Sequence, residues 1–171
     1  LHPSFNPKAA KTVVATGLPA SPGAASGQIV FTAKDSVRWG EDGKVTILVR
    51  QETSPEDIEG MVSAQGILTG RGGMTSHAAV VARGMGKTCV AGCSSLLIDA
   101  QEKVVKVGGH VLREGDWISI NGSTGEVMLG KVETIASSLT GEFATFMKWA
   151  DELKTLGVRA NIASAITFRS R

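Results

Sequence analysis

The sequence has few cysteines, little net charge and no long apolar run, and each lack removes a class of function. Only Cys89 and Cys93 occur among 171 residues, four positions apart, with no second pair and no histidine cluster to complete a metal site. They read as reduced, mostly buried thiols of an intracellular protein rather than as a redox pair. The formal net charge is +2, and no run of Lys or Arg interleaved with aromatics marks a nucleic-acid groove or an anionic membrane surface. Neither nucleic acid nor membrane is an expected partner, and any bound anion must be met locally. No apolar stretch approaches the ~20 residues that span a bilayer, and the N-terminus lacks the charged-then-apolar pattern of a signal peptide. An intracellular location is expected, in the cytoplasm or in a plastid or other organelle. No repeat at a fixed period and no low-complexity segment occurs, which sets aside solenoids and disordered arrays.

What is present describes a folded domain. The length suits one domain with linkers, and 42% hydrophobic and 20% charged residues are ordinary for a globular chain. Glycine is in excess, 21 residues against an average of about 7%, so tight turns and close backbone approaches are expected to carry the chemistry.

The residues read as an α/β fold. Residues 1–11, with two prolines and no periodicity, read as an N-terminal linker. The stretch from Gly17 to Gly27 reads as a turn-rich loop feeding a strand that ends at Thr32. Val45–Arg50 is a short continuous apolar run, so it is expected to be a central strand buried on both faces. Thr53-Ser54-Pro55-Glu56-Asp57 offers a capping residue, Pro at the first helical position and acids in the first turn, which predicts a helix from about Pro55 to Ala64. Gln65–Thr69 reads as another strand, emptying into Gly70-Arg71-Gly72-Gly73 and then a helix from Ser76 to about Arg83. Strands are expected at Thr88–Gly92, Lys103–Val107, Trp117–Ile120 and Glu126–Leu129. Ile135, Leu139, Phe143, Phe146, Met147 and Leu153 recur at helical spacing, so residues 131–161 read as a helical connector. The body of the domain is residues 12–130.

Three histidines occur, and only His77 has a context that asks for explanation. A glycine loop opening a helix exposes unpaired backbone N–H groups at the positive end of the helix dipole, a ready anion site. That same end disfavours an imidazolium beside it, which leaves a neutral ring as a nucleophile. Once phosphorylated, the ring would bring its phosphate oxygens to the amides of Gly72 and Gly73 and to the hydroxyls of Thr75 and Ser76. The plainer alternative is a capped helix with an ordinary polar histidine beside the cap. A metal site would need two or three further ligands, and no H-x-x-x-H or C-x-x-C pattern supplies them. Gly84-Met85-Gly86-Lys87-Thr88 is superficially like a phosphate loop but leads into a strand, and no nucleophile elbow surrounds Ser76.

The run from Gly72 to Gly86, GGMTSHAAVVARGMG, resembles the phosphohistidine signature of the pyruvate phosphate dikinase family. Residues 15–24, 48–58 and 121–127 are similar to the same family, so the resemblance spans about residues 12–130. Phosphoenolpyruvate synthase and enzyme I of the sugar phosphotransferase system share Gly-Gly-x-Thr-x-His but usually carry Arg where this chain has Met74.

The resemblance implies a swivelling β/β/α domain that shuttles a phosphoryl group between an ATP-grasp nucleotide domain and a phosphoenolpyruvate/pyruvate barrel domain. It implies that His77 accepts the β-phosphoryl of ATP after phosphate has removed the γ-phosphoryl, then passes it reversibly to pyruvate. Magnesium is implied mainly on those other domains and not in this chain, and the parent enzyme is implied to be a homodimer. Thr75 matches a position reversibly phosphorylated by a regulatory kinase and phosphatase in plant members, where added negative charge would repel an incoming phosphate. Arg71 is the expected electrostatic partner of the phosphate, and Arg83 has a supporting, surface or interdomain place. Residues 157–161 look like the entry to the barrel, whereas residues 162–171 do not continue the family pattern and read as an atypical tail. The second hypothesis is a non-catalytic module that holds a phosphorylated ligand at the Gly72-Gly73 helix start.

Overall fold

The computed structural model describes residues 3–135. The expected helical connector beyond Ile135 and the atypical tail lie outside the described residues.

Behind a short strand β1 (Ser4–Phe5), an α/β body is built on one mixed sheet of eight strands. Four of them, β4 (Ala24–Val30), β5 (Thr46–Arg50), β6 (Gly66–Thr69) and β7 (Thr88–Ala91), run parallel and adjacent in chain order. Parallel neighbours need crossovers, and α1 (Ala33–Glu41), α2 (Ile58–Ser63) and α3 (His77–Met85) supply them. As expected from its continuous apolar run, β5 lies inside the sheet, with Thr46 to Val49 buried. β11 (Trp117–Asn121) extends the sheet antiparallel to β4, followed by β12 (Glu126–Leu129) and β2 (Val13–Thr16), while β3 (Leu18–Ser21) pairs antiparallel with β7 at the other end.

β2 and β3 sit at opposite ends of the strand order but are joined by Gly17 alone. One residue spans at most about 3.6 Å of extended chain, so the sheet must curl until its edges nearly meet. At that joint Gly17 N–H donates to Gly125 O at 2.7 Å beside β12, while a Cβ on Gly17 would lie 2.8 Å from Ala91 O of β7. The segment read as a turn-rich loop is therefore β3 and the first half of β4, with only Pro22-Gly23 as the turn. The glycines and prolines that suggested a loop sit where an edge strand and a bend tolerate them.

Two cores lie on the two faces of this sheet. One is filled by Ile29, Phe31, Ile47, Val49, Leu68, Val90, Ile118 and Ile120, with Val105 and Val107 from a second, three-stranded sheet. That sheet comprises β8 (Leu97–Asp99), β9 (Val104–Val107) and β10 (His110–Arg113), all antiparallel. The other core joins Val30, Leu48 and Ile67 to Met61, Ala78, Ala79 and Ala82 of the helices. The layers run sheet, sheet, helix.

The helix expected over Pro55–Ala64 begins as a single 3-10 turn, Pro55–Asp57, and becomes α2 only at Ile58. Helix α1 and strands β1, β2, β8 and β10 were not anticipated, β1 falling inside the stretch read as a linker.

Candidate functional site

The site is assembled at the C-terminal ends of β5 and β6, where parallel sheets place their functional loops. The ladder between the two strands continues past their ends, with Gly70 N–H donating to Arg50 O at 3.1 Å and Arg71 N–H to Gln51 O at 2.8 Å. Gly72 then turns away at φ 103°, a left-handed conformation that a side chain disfavours. Its carbonyl rests against Gly92, where an added Cβ would lie 2.5 Å from Gly72 O. Thr69 Oγ1 donates to Arg71 O at 2.8 Å.

Ser76 closes the loop and opens α3. Its N–H and its hydroxyl both donate to Gly73 O, at 3.1 and 2.8 Å, and the hydroxyl oxygen accepts from Ala79 N–H at 3.4 Å. The Ser76 proton is thus spent within the loop. Among the described residues the backbone N–H groups of Gly72, Gly73, Met74 and Thr75 make no hydrogen bond, and neither does the exposed Thr75 hydroxyl. These groups and the open end of α3 form the concentration of free donors expected from the sequence.

His77 is the first residue of α3 and is half-buried. Its Nδ1 lies 2.9 Å from Oγ1 of Thr53, a buried residue just beyond β5. Sequence reasoning used Thr53 only as the start of a helix. In the structure Ser54 takes the capping place, its N–H donating to Asp57 Oδ2 at 3.0 Å, and Thr53 turns to the histidine. The adjacency of β5 and β6 alone brings residues 24 positions apart into contact, and the parallel-strand pattern was the signal that could have paired them.

The two arginines have separate places. Arg71 is 70% exposed and sits 3.6 Å from Glu52, beside an open groove that Gln51, Lys106 and Arg113 also line. Arg83 is exposed on α3, and its guanidinium also donates to Met74 O at 2.6 Å and to Ala20 O at 2.9 Å. Of the other histidines, His110 is exposed on β10 and His2 lies outside the described residues. Cys89, buried on β7 beneath α3, has its thiol pushed up to about 12 by burial, with the Arg83 charge pulling weakly the other way. Cys93 is buried and raised for the same first reason. Among the described residues no group of three or more His, Cys, Asp or Glu side chains could hold a metal ion, and no helix is long and apolar enough to cross a membrane.

With this geometry in hand, the likeness to known proteins is informative. Along 163 residues, 94% of the chain, it is 63% identical to pyruvate, phosphate dikinase 2 of Zea mays. It is 61% identical to the chloroplastic pyruvate, phosphate dikinase 1 of Zea mays over the same share, and 56% identical to pyruvate, phosphate dikinase of Clostridium symbiosum. The aligned region spans only 17–19% of the length of these relatives. Residues 43–125, which hold β5, α2, β6, α3, Thr53 and His77, match the family described as the PEP-utilising enzyme mobile domain.

Proposed function

We propose that this chain is the phosphoryl-carrying part of a pyruvate, phosphate dikinase, with His77 as the residue that takes up and hands on the phosphoryl group. The observation that carries the proposal is the contact between Thr53 Oγ1 and His77 Nδ1. A ring whose Nδ1–H donates to a fixed hydroxyl presents its lone pair at Nε2. Orientation of this kind is how a second residue readies a histidine for chemistry.

In the forward step the Nε2 lone pair attacks the phosphorus of the donor, the N–P bond forms, and the P–O bond to the leaving phosphate breaks with its electron pair going to that oxygen. The Nδ1 proton stays with the ring and its hydrogen bond to Thr53, so no proton has to leave at the moment of attack. In the second step an enolate oxygen of pyruvate attacks the same phosphorus and the N–P electron pair returns to Nε2. The bound phosphoryl oxygens would be met by the free amides of Gly72, Gly73, Met74 and Thr75 and by the Thr75 hydroxyl, which would donate charge-assisted hydrogen bonds. Ser76 contributes by fixing the loop, and Arg71 can swing from Glu52 toward the anion.

The relatives are far longer than the segment matched, so the nucleotide and pyruvate sites belong to other parts of such an enzyme. An ATP-grasp domain and a barrel domain in one polypeptide, with this domain swivelling between them, complete the proposal; magnesium would act mainly there. Thr75, exposed and two residues before His77, suits regulatory phosphorylation, since a phosphate there would place like charge on the path of the incoming one. A Thr75→Glu chain is then expected to take up phosphoryl groups more slowly.

The test uses a small donor. Incubated with phosphoramidate, the chain should gain one acid-labile, base-stable phosphoryl group on Nε2 of His77, read by intact mass and by phosphorus NMR. His77→Ala should gain none. A chain that gains none under conditions that phosphorylate a genuine carrier domain would point to the ligand-binding module instead.

A further inference from the structure

Side chains on a helix lean toward its N-terminus, so a long residue late in α3 can reach back over the loop that precedes it. Arg83 does this. Its Nη2 donates to Met74 O, nine positions earlier and inside the loop that ends at His77, while Nη1 donates to Ala20 O on β3. Two carbonyls from two segments are thus held by one planar group whose donors have a fixed spacing. Met74 itself is 44% exposed and Gly73 has open space around it, so the middle of the loop has little packing to hold it.

We infer that Arg83 is a positioning residue for phosphoryl transfer: it clamps the Met74 carbonyl to the edge strand β3 and thereby sets the direction in which the amides of Gly72 to Thr75 face His77. The inference rests on the carrier reading above but assigns Arg83 a different task from binding the anion. Two of the five guanidinium N–H groups are aimed at these carbonyls, and the Met74 carbonyl belongs to the peptide unit whose N–H is that of Thr75. Turning that unit turns the donor. An arginine is required because a lysine ammonium offers one point of attachment and cannot bridge two carbonyls in a fixed fork.

The test compares Arg83→Lys, which keeps the charge, with Arg83→Gln, which removes it. Three quantities are read on the full chain: folded stability, amide hydrogen exchange of residues 72–76, and the rate of His77 phosphorylation by phosphoramidate. The clamp predicts that both variants lose about ten-fold in rate, as misplaced groups at a reacting centre do. It also predicts that both speed amide exchange in the loop while the exchange of β5 and β6 is unchanged. A Lys variant that keeps the full rate while Gln loses it would show a direct charge effect and overturn the inference. So would unchanged loop exchange in both. Failure of the unsubstituted chain to accept a phosphoryl group would count against the carrier reading alone, because loop exchange still reports the clamp. Should neither variant fold, the Arg83 Nη–H signals of the unsubstituted chain decide: slowed rotation and slow exchange are expected, and free rotation contradicts the clamp.

Discussion

A hydroxyl 2.9 Å from Nδ1 of His77 fixes the tilt of the ring, and in the proposed carrier it accepts from Nδ1–H and so leaves the lone pair on Nε2. Thr53→Val keeps the shape and removes the partner. The expected result is a folded chain whose ring nitrogens show a mixture of tautomers by nitrogen NMR and whose phosphorylation by phosphoramidate slows about ten-fold. Unchanged tautomers and an unchanged rate would show that the contact is only packing. The cysteines give a second test at this scale. Cys89 has its thiol pushed up to about 12 and Cys93 is raised as well, and the thiolate is the reactive form. At pH 8 both should resist a thiol reagent in the folded chain and react promptly in denaturant; rapid labelling of native protein would contradict their burial.

At the scale of elements, the helices show what the sequence could and could not reveal. Helix α3 announces itself through Ser76, Ala78, Ala79 and Ala82, a cap followed by small apolar residues on one face that are buried against the sheet. Helix α1 was missed because its buried face is polar. Asp35 and Ser36 are buried, the Ser36 hydroxyl donates to Gly60 O at 2.7 Å, and Thr32 Oγ1 caps the helix by accepting from Asp35 N–H. A search for apolar periodicity passes over such a face, although Thr32-x-x-Asp35 was a start signal in plain view. The hairpin of β9 and β10 was also missed, although Gly108-Gly109, both at positive φ, is a favoured two-residue turn that could have signalled it.

Helices α1 and α2 touch so closely that a Cβ on Gly60 would run into the Cα and Cβ of Ala33. Gly60→Ala should therefore destabilise the fold by about 1–3 kcal/mol, read as a lower urea midpoint at an unchanged slope. An unchanged midpoint would mean that the helices part freely. Asp35 bonds Arg38 at 2.9 Å and Lys103 at 3.1 Å, tying α1 to the turn before β9. Its burial opposes ionisation, but hydrogen bonds from Lys103 and Glu114, the Lys103 charge and Thr32 together hold its carboxyl below the usual 3.8. Glu114 is moved the other way, by its own burial first and then by Asp35, and so takes up its proton earlier as the pH falls. A depressed carboxyl stabilises the fold above its unfolded pKa and loses that contribution as the pH falls through the folded value. Asp35→Asn should cost about 1–2 kcal/mol at neutral pH, with a gap from the unsubstituted chain that shrinks in acid. A gap that widened in acid would contradict the assignment.

For the whole molecule, the topology decides where chemistry can occur. Parallel neighbours β5 and β6 carry Thr53 and His77 just beyond their C-terminal ends, and α3 begins at the histidine itself. The glycine loop, the helix start and the position of His77 at that start were legible in the sequence because they are consecutive. Thr53 and the Arg83 clamp were not, because each depends on strand order and on a side chain reaching across the fold. The opposed edges β2 and β3, joined by Gly17, curl the large sheet, and His77 stands at its helix side while the loop before it is held by a few hydrogen bonds.

The most direct measurement follows the phosphoryl group itself. The chain and its His77→Ala variant are incubated with the ATP-grasp domain of a related dikinase, ATP, phosphate and magnesium, and their intact masses are read before and after addition of the related barrel domain and pyruvate. The account predicts one phosphoryl group on the unsubstituted chain alone, lost again as phosphoenolpyruvate appears. A phosphoryl group that forms equally on His77→Ala, or none on either when the donor domain charges its own carrier, would contradict it.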